Sequence, residues 1–173
     1  MSKTTYLLEM DSPDQLRPKR IDCPELRVER VEVPSPEFSK FLHSAVGYNH
    51  RWGGRSHWTR DDWLALVSDP DIETWVAYLK GMPAGYFEVR RESVGSVEIV
   101  CFGLLPEFIG QGLGGHLLTL AVERAWELGD GPVSLHTCTH DHPHALSNYQ
   151  ARGFQIARQS DGPENPPMKS LFD

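Results

Sequence analysis

A chain of 173 residues with a formal charge of -7 and 39% hydrophobic residues has the length for one domain with a sizeable core and the composition of an ordinary soluble globular protein. The acidic balance argues against a nucleic-acid binder, which presents a basic face, and no apolar run approaches the length of a membrane span or a signal peptide, so neither nucleic acid nor membrane is an expected partner. Cys23, Cys101 and Cys138 have no framework spacing, and a reducing cytoplasm is their natural setting.

In chain order, Thr4 to Met10 suggests a short leading strand, followed by a polar, proline-bearing stretch to Pro24, and residues 1–25 read as a loosely attached arm. Leu26 to Val33 alternates and predicts the first core strand. Ser35-Pro36-Glu37 opens a helix that Gly47 ends. Tyr48 to Trp58 is glycine-interrupted and rich in aromatic and cationic groups, so Tyr48, Arg51 and Trp52 become candidate substrate contacts. Thr59 caps a second helix carrying Trp63, Leu64, Leu66 and Val67. Ile72 to Leu79 and Ala84 to Arg91 flank the turn signal Lys80-Gly81-Met82-Pro83, and a second turn leads into Ser96 to Leu105. A long amphipathic helix with Leu113, Leu117, Leu120, Ala121, Ala125 and Leu128 on one face precedes a strand from Pro132 to Thr139. Pro143 to Arg152 predicts a short helix closed by Gly153, Phe154 to Ala157 a last strand, and residues 161–173 a tail. The domain proper is thus expected over 26–160.

Between the strand end at Leu104 and the long helix stand Gly110, Gly112, Gly114 and Gly115. Glycines there let the chain turn tightly and leave amides at a helix start free to face a phosphate, which the helix dipole also attracts. Gly110, Gly112 and Gly115 satisfy G-x-G-x-x-G, but five residues separate the strand from the first glycine and no acidic residue ends the next strand, which disfavours a dinucleotide fold. No Gly-Lys-Ser/Thr follows, which excludes a P-loop.

Leu104-Leu105-Pro106 followed by Gly110-Gln111-Gly112-Leu113-Gly114 resembles the strand end and pyrophosphate loop of the GCN5-related N-acetyltransferase family, as does Ala145-Leu146-Ser147-Asn148-Tyr149-Gln150-Ala151-Arg152-Gly153-Phe154 with its Ala-x-x-x-Tyr-x-x-x-Gly-Phe pattern. Ile109 stands where that family usually has Arg or Gln, and His142 where it usually has Asn. The resemblance implies a single-domain mixed α/β (α+β) acetyltransferase fold whose mostly antiparallel central sheet is flanked by helices. It also implies acetyl-CoA as cosubstrate, bound where two strands splay apart by Leu104, Leu105, Ile109 to Gly115 and His142. In many relatives the tyrosine is the general acid for the departing thiolate, which here is Tyr149.

Amine acetylation also needs a base, because an alkylammonium with a pKa near ~10 has no lone pair to attack with at neutral pH. Glu98-Ile99-Val100 resembles the Glu-Ile-Val of histone acetyltransferases whose glutamate is the base, and on an apolar strand the Glu98 carboxylate is expected to be desolvated and raised in pKa. The alternating series His136, Cys138, His140, His142 and His144 invites a zinc reading, but Pro143 breaks the strand and no second cysteine pair closes a ligand set, so no metal is expected and His136 is assigned to substrate. The functional expectation is acetyl transfer to a primary amine of a small molecule, the acidic net charge favouring a cation. A protein-lysine acetyltransferase and a non-catalytic acyl-CoA sensor are the alternatives, and a homodimer is compatible with the sequence.

Overall fold

The computed structural model describes residues 2–172; the first residue of the arm and the last of the tail lie outside them. In chain order it contains β1 (Ser2–Met10), β2 (Arg27–Arg30), α1 (Pro36–Gly47), α2 (Arg60–Ser68), β3 (Ile72–Leu79), β4 (Met82–Arg91), β5 (Val97–Leu104), α3 (Leu113–Leu128), β6 (Val133–Cys138), α4 (Ala145–Ala151) and β7 (Gln155–Pro163). The seven strands form one mixed sheet in the order β2-β3-β4-β5-β6-β1-β7. Only β5 and β6 run parallel, and the other pairs are antiparallel.

Local signals set the helix starts. The Ser35 hydroxyl accepts from the Phe38 amide at the head of α1, and Thr59 and Asp62 cap α2 reciprocally. Lys80 and Gly81 both take positive φ between β3 and β4, the backbone a two-residue hairpin turn demands. The larger core packs α3, through Leu113, Leu117, Leu118, Ala121, Val122 and Ala125, onto Val89, Val97, Ile99, Val133 and Leu135. On the opposite face a smaller core joins Leu42 and Val46 of α1 to Val76, Tyr86, Cys101 and Leu105.

The arm departs from the sequence expectation. β1 lies inside the sheet, paired with β6 on one side and β7 on the other, with Leu8 and Met10 fully buried. Its prolines lie beyond Met10 and do not bear on its pairing, so the sheet runs from Ser2 to Pro163 and crosses both expected domain boundaries. β1 also explains why β7 continues past Ala157: backbone pairing extends it where its exposed side chains give no pattern. β2 is shorter than Leu26 to Val33, because Val31 makes one further bond to Thr74 and Pro34 then offers no donor.

Candidate active site

β5 and β6 pair only through Val97, Glu98 and Ile99, opposite Val133, Ser134 and Leu135, and then diverge. At this point β5 carries an extra residue relative to β4, since Ile99 opposes Val89 while Cys101 opposes Glu88. The bulge at Val100 switches the alternation, so that Val97 and Ile99 face α3 before it and Phe102 and Leu104 face that side after it. The divergence opens a cleft of about 830 Å³.

One limb of the cleft is the glycine turn. Gly110 and Gly112 have φ near +85° and +82°, which a side chain would strain, and no side chain caps α3, so its first amides are free for an anion. A Cβ on Gly115 would come within 2.5 Å of Lys19 Cδ and 2.6 Å of Arg152 Nη1, so these two cationic side chains lie directly over the first turn of α3. The arm is held there by the Lys19 amide donating to Thr119 Oγ1 at 2.9 Å and the Arg17 amide donating to the Arg152 carbonyl at 2.9 Å. Arg152 Nε is buried without a partner. Free amides, two cations and an orphaned donor fit a pyrophosphate.

On the cleft lining Tyr149 lies edge-on to Phe102 and Phe154, with ring centroids 6.0 and 6.4 Å away. Burial, reinforced by Asp141 and Cys101, pushes its hydroxyl well above the usual tyrosine range, so it is protonated at neutral pH. Asp141 ties the centre together by accepting from the Trp52 indole at 3.0 Å, the Thr137 hydroxyl and the Cys138 amide at 3.1 Å.

The other limb is walled by His43, Val46, Trp52, Gly54, Arg55 and Cys101. Arg55 donates two bonds to Glu88, at 3.1 and 2.5 Å, and its guanidinium lies 4.8 Å from the Trp58 ring and 5.7 Å from Trp63. Burial, with Arg55 nearby, lowers the His43 pKa from 6.5 to about 3. An unfolded chain therefore binds a proton at this histidine that the fold excludes. The stability it contributes is present above pH ~6.5 and is lost as pH falls toward ~3, by up to about 1.4 kcal/mol per unit. Acid unfolding monitored from pH 7 to 4 should be shallower in His43→Leu; an identical slope would mean that His43 is solvated.

The candidates from sequence divide. Leu104, Ile109, Gly110, Gly112, Gly114, Gly115, His142, Trp52, His136 and Tyr149 all line the cleft. Leu105 and Leu113 are buried in the two cores, the Gln111 amide donates to the Glu107 carbonyl, and Tyr48 and Arg51 stand outside, Arg51 pairing with Glu164 at 3.0 Å. Glu98 is not on the cleft surface, and the expected rise in its pKa is reversed: the His136 hydrogen bond and the Arg90 charge outweigh burial and lower it. Sequence reading missed Lys19, Arg152, His43, Glu88 and Asp141. The only carboxylate on the described lining is Asp141, against Lys3, Lys19, Arg55 and Arg152, so the chain's negative charge is not concentrated in the cleft. Among the described residues no group of three His, Cys, Asp or Glu converges on a metal position, and no helix is long and apolar enough to cross a membrane.

The acetyltransferase (GNAT) family model matches residues 35–154. Solved structures share the fold. A GCN5-related N-acetyltransferase from Kribbella flavida superposes with a TM-score of 0.64 at 19% identity, over 90% of this chain and 55% of that one, so this chain spans little more than half of that protein. An aminoglycoside acetyltransferase from an uncultured soil metagenomic sample, solved with trehalose, gives 0.61 at 17% identity over 74% and 87% of the two chains. A Bacillus subtilis acetyltransferase in complex with CoA gives 0.58 at 26% identity over 77% and 78%. No functionally curated protein matches the sequence.

Proposed function

We propose that this chain, which belongs to the acetyltransferase (GNAT) family, transfers the acetyl group of acetyl-CoA to a primary amine of a small molecule by direct attack in a ternary complex. The observation that carries the reading is the splay of β5 from β6, with the uncapped glycine-rich start of α3 and Tyr149 both on the lining of the cleft between them. Beyond Ile99 the β6-facing edge of β5 has no strand partner among the described residues, which suits pairing with the amide groups of a pantetheine arm near Leu104. A free amide on that edge would steady the oxyanion. Gly110 to Gly115 would hold the pyrophosphate, and Lys19 with Arg152 would supply the charge that Ile109 lacks. Of the solved structures that share the fold, the Bacillus subtilis acetyltransferase is in complex with CoA and the aminoglycoside acetyltransferase is in complex with trehalose in one structure and sisomicin in another.

For the acceptor, Trp52 offers an indole ring and Asp141 the one carboxylate on the described lining, whereas Arg55 is already committed to Glu88. This favours a small amine with an apolar body over an anionic metabolite. The chain is proposed to act in the cytoplasm.

Calorimetric titration with acetyl-CoA followed by an acetylation screen over amines, amino acids, polyamines and lysine peptides tests the reading. Absence of saturable binding would sink it, and tight binding with no turnover on any acceptor would leave a sensor. Arg152→Ala should weaken acetyl-CoA by about 10- to 150-fold and flatten the salt dependence of its affinity, because a desolvated cation on a phosphate is worth about 1.5–3 kcal/mol. Unchanged affinity would show that the amides of α3 suffice.

A further inference from the structure

We infer that His136 is the general base for the acceptor amine and that Glu98 is the residue that positions its ring. The inference rests on the amine-acetyltransferase reading and deepens it. Glu98 opposes Ser134 across the parallel pair, so His136 lies two residues along the same face, where the strands part. Its Nδ1 stands 3.2 Å from Glu98 Oε1, while Oε2 accepts from Arg90 Nη2 at 2.8 Å.

A carboxylate held between a cation and an imidazole stays ionised and can only accept. Nδ1 must therefore carry the hydrogen in the Glu98 contact, and the neutral ring keeps its lone pair on Nε2. The His136 ring lines the cleft, and Glu98 lies behind it with 18% of its side chain exposed against 49% for His136. A carboxylate whose pKa is lowered is a poor base toward an ammonium, whereas an imidazole is matched to neutral pH. Glu98 would then orient the ring and stabilise the imidazolium, the division of labour that a carboxylate and histidine show in serine hydrolases.

The protons balance. An alkylammonium loses two protons on becoming an amide. One passes to His136 Nε2 and on to solvent, for which the half-exposed ring has an open path. The other leaves the nitrogen as the tetrahedral intermediate collapses and the C–S bond breaks, offsetting the proton that sulfur gains at Tyr149.

The charged groups on this sheet face around His136 are Glu98 on β5, Arg90 beside it on β4 with Glu92 accepting from its Nε at 2.7 Å, the Glu88–Arg55 pair farther along β4, Glu9 opposite Ser134 on β1 and Arg158 opposite Leu7 on β7. Cys138 and Lys3 follow farther along the same side. Among the described residues only Glu98 bonds the ring.

The test is the pH profile of kcat/KM for the amine found in the acceptor screen. In the native chain it should rise along an acid limb set by imidazole deprotonation. His136→Ala should lose about 10²- to 10⁴-fold in kcat, with acetyl-CoA affinity unchanged, lose that limb, and recover partly with added imidazole. Glu98→Gln should lose less and move the limb to lower pH, since the imidazolium loses its carboxylate. If His136→Ala retains both rate and limb while Glu98→Gln abolishes turnover, Glu98 is the base and the inference is wrong. It is equally wrong if neither substitution matters. A native chain that binds acetyl-CoA but acetylates no amine overturns the functional reading instead, and the base assignment with it.

Discussion

Tyr149→Phe should leave acetyl-CoA affinity and folding nearly unchanged and reduce kcat by about 10²-fold. The ring keeps its edge-on contacts with Phe102 and Phe154, so the aromatic packing beside the cleft survives. What is lost is one O–H, and magnitudes decide what that bond does. A phenol near ~10 is a weaker acid than a thiol near ~8.5, and burial raises the Tyr149 hydroxyl further, so complete transfer to a free thiolate runs uphill by about 2 kcal/mol or more. In the proposed reaction the productive contribution would be a hydrogen bond to charge developing on sulfur as the C–S bond opens. Its proton would be delivered only as the nitrogen releases one, which restores the hydroxyl within the turnover. A hydrogen bond to a charged group is worth about 1.5–3 kcal/mol, which corresponds to a loss of about 10- to 150-fold. Because the hydroxyl stays protonated through neutral pH, its removal should scale the rate without altering the shape of the pH profile. Equal turnover in the mutant would return Tyr149 to a packing role, and a change in the limbs would mean that it titrates in the working range.

The backbone of this site was legible in the sequence because its signals are local. Gly110 and Gly112, with positive φ, make the tight turn expected of the glycines, Thr59 and Ser35 cap the expected helices, and the hairpin turns at Lys80 and Gly81. What escaped depends on pairings between distant segments. Lys19 reaches Gly115 only because β1 is threaded between β6 and β7, a backbone choice with no side-chain signature in SKTTYLLEM. Glu98 was expected to be activated by burial, but strand register places it between Arg90 and His136, and two partners outweigh desolvation. Alternation in β5 also misleads beyond Val100, since the bulge there shifts every later side chain to the other face. Glu88 looked like an unremarkable residue of a β-strand; only the tertiary approach of the Gly53–Arg55 turn makes it the buried half of an ion pair.

That pair carries the largest stability effect expected in the molecule. Glu88 is fully buried and the Arg55 side chain is only 12% exposed, so water can compensate little for a missing partner. Burial acts to lower the Arg55 pKa, but Cys101 and Glu88 outweigh it and hold it above the usual arginine range, so the guanidinium cannot escape by losing its proton. Glu88→Ala leaves a buried cation beside Trp58 and Trp63 with nothing to accept its two hydrogen bonds, and should cost about 3–5 kcal/mol. For a chain of this size that lowers Tm by roughly 6–20 °C. The ring faces of the two tryptophans offset only a small part, since a cation–π contact contributes about 0.5–2 kcal/mol and is already present in the native pair. Replacing both partners, as Arg55→Met with Glu88→Leu, removes the charge and its counter-charge together and should recover most of the loss, because an apolar pair of similar volume is often neutral relative to a buried ion pair. Acetyl-CoA affinity should hold in the double variant, whose substitutions lie at the acceptor limb, while acceptor KM shifts. Thermal unfolding of the three chains is decisive: a single variant within about 1 kcal/mol of the native chain would mean that solvent enters behind the Arg55 loop, and that the acceptor wall is mobile where the geometry makes it rigid.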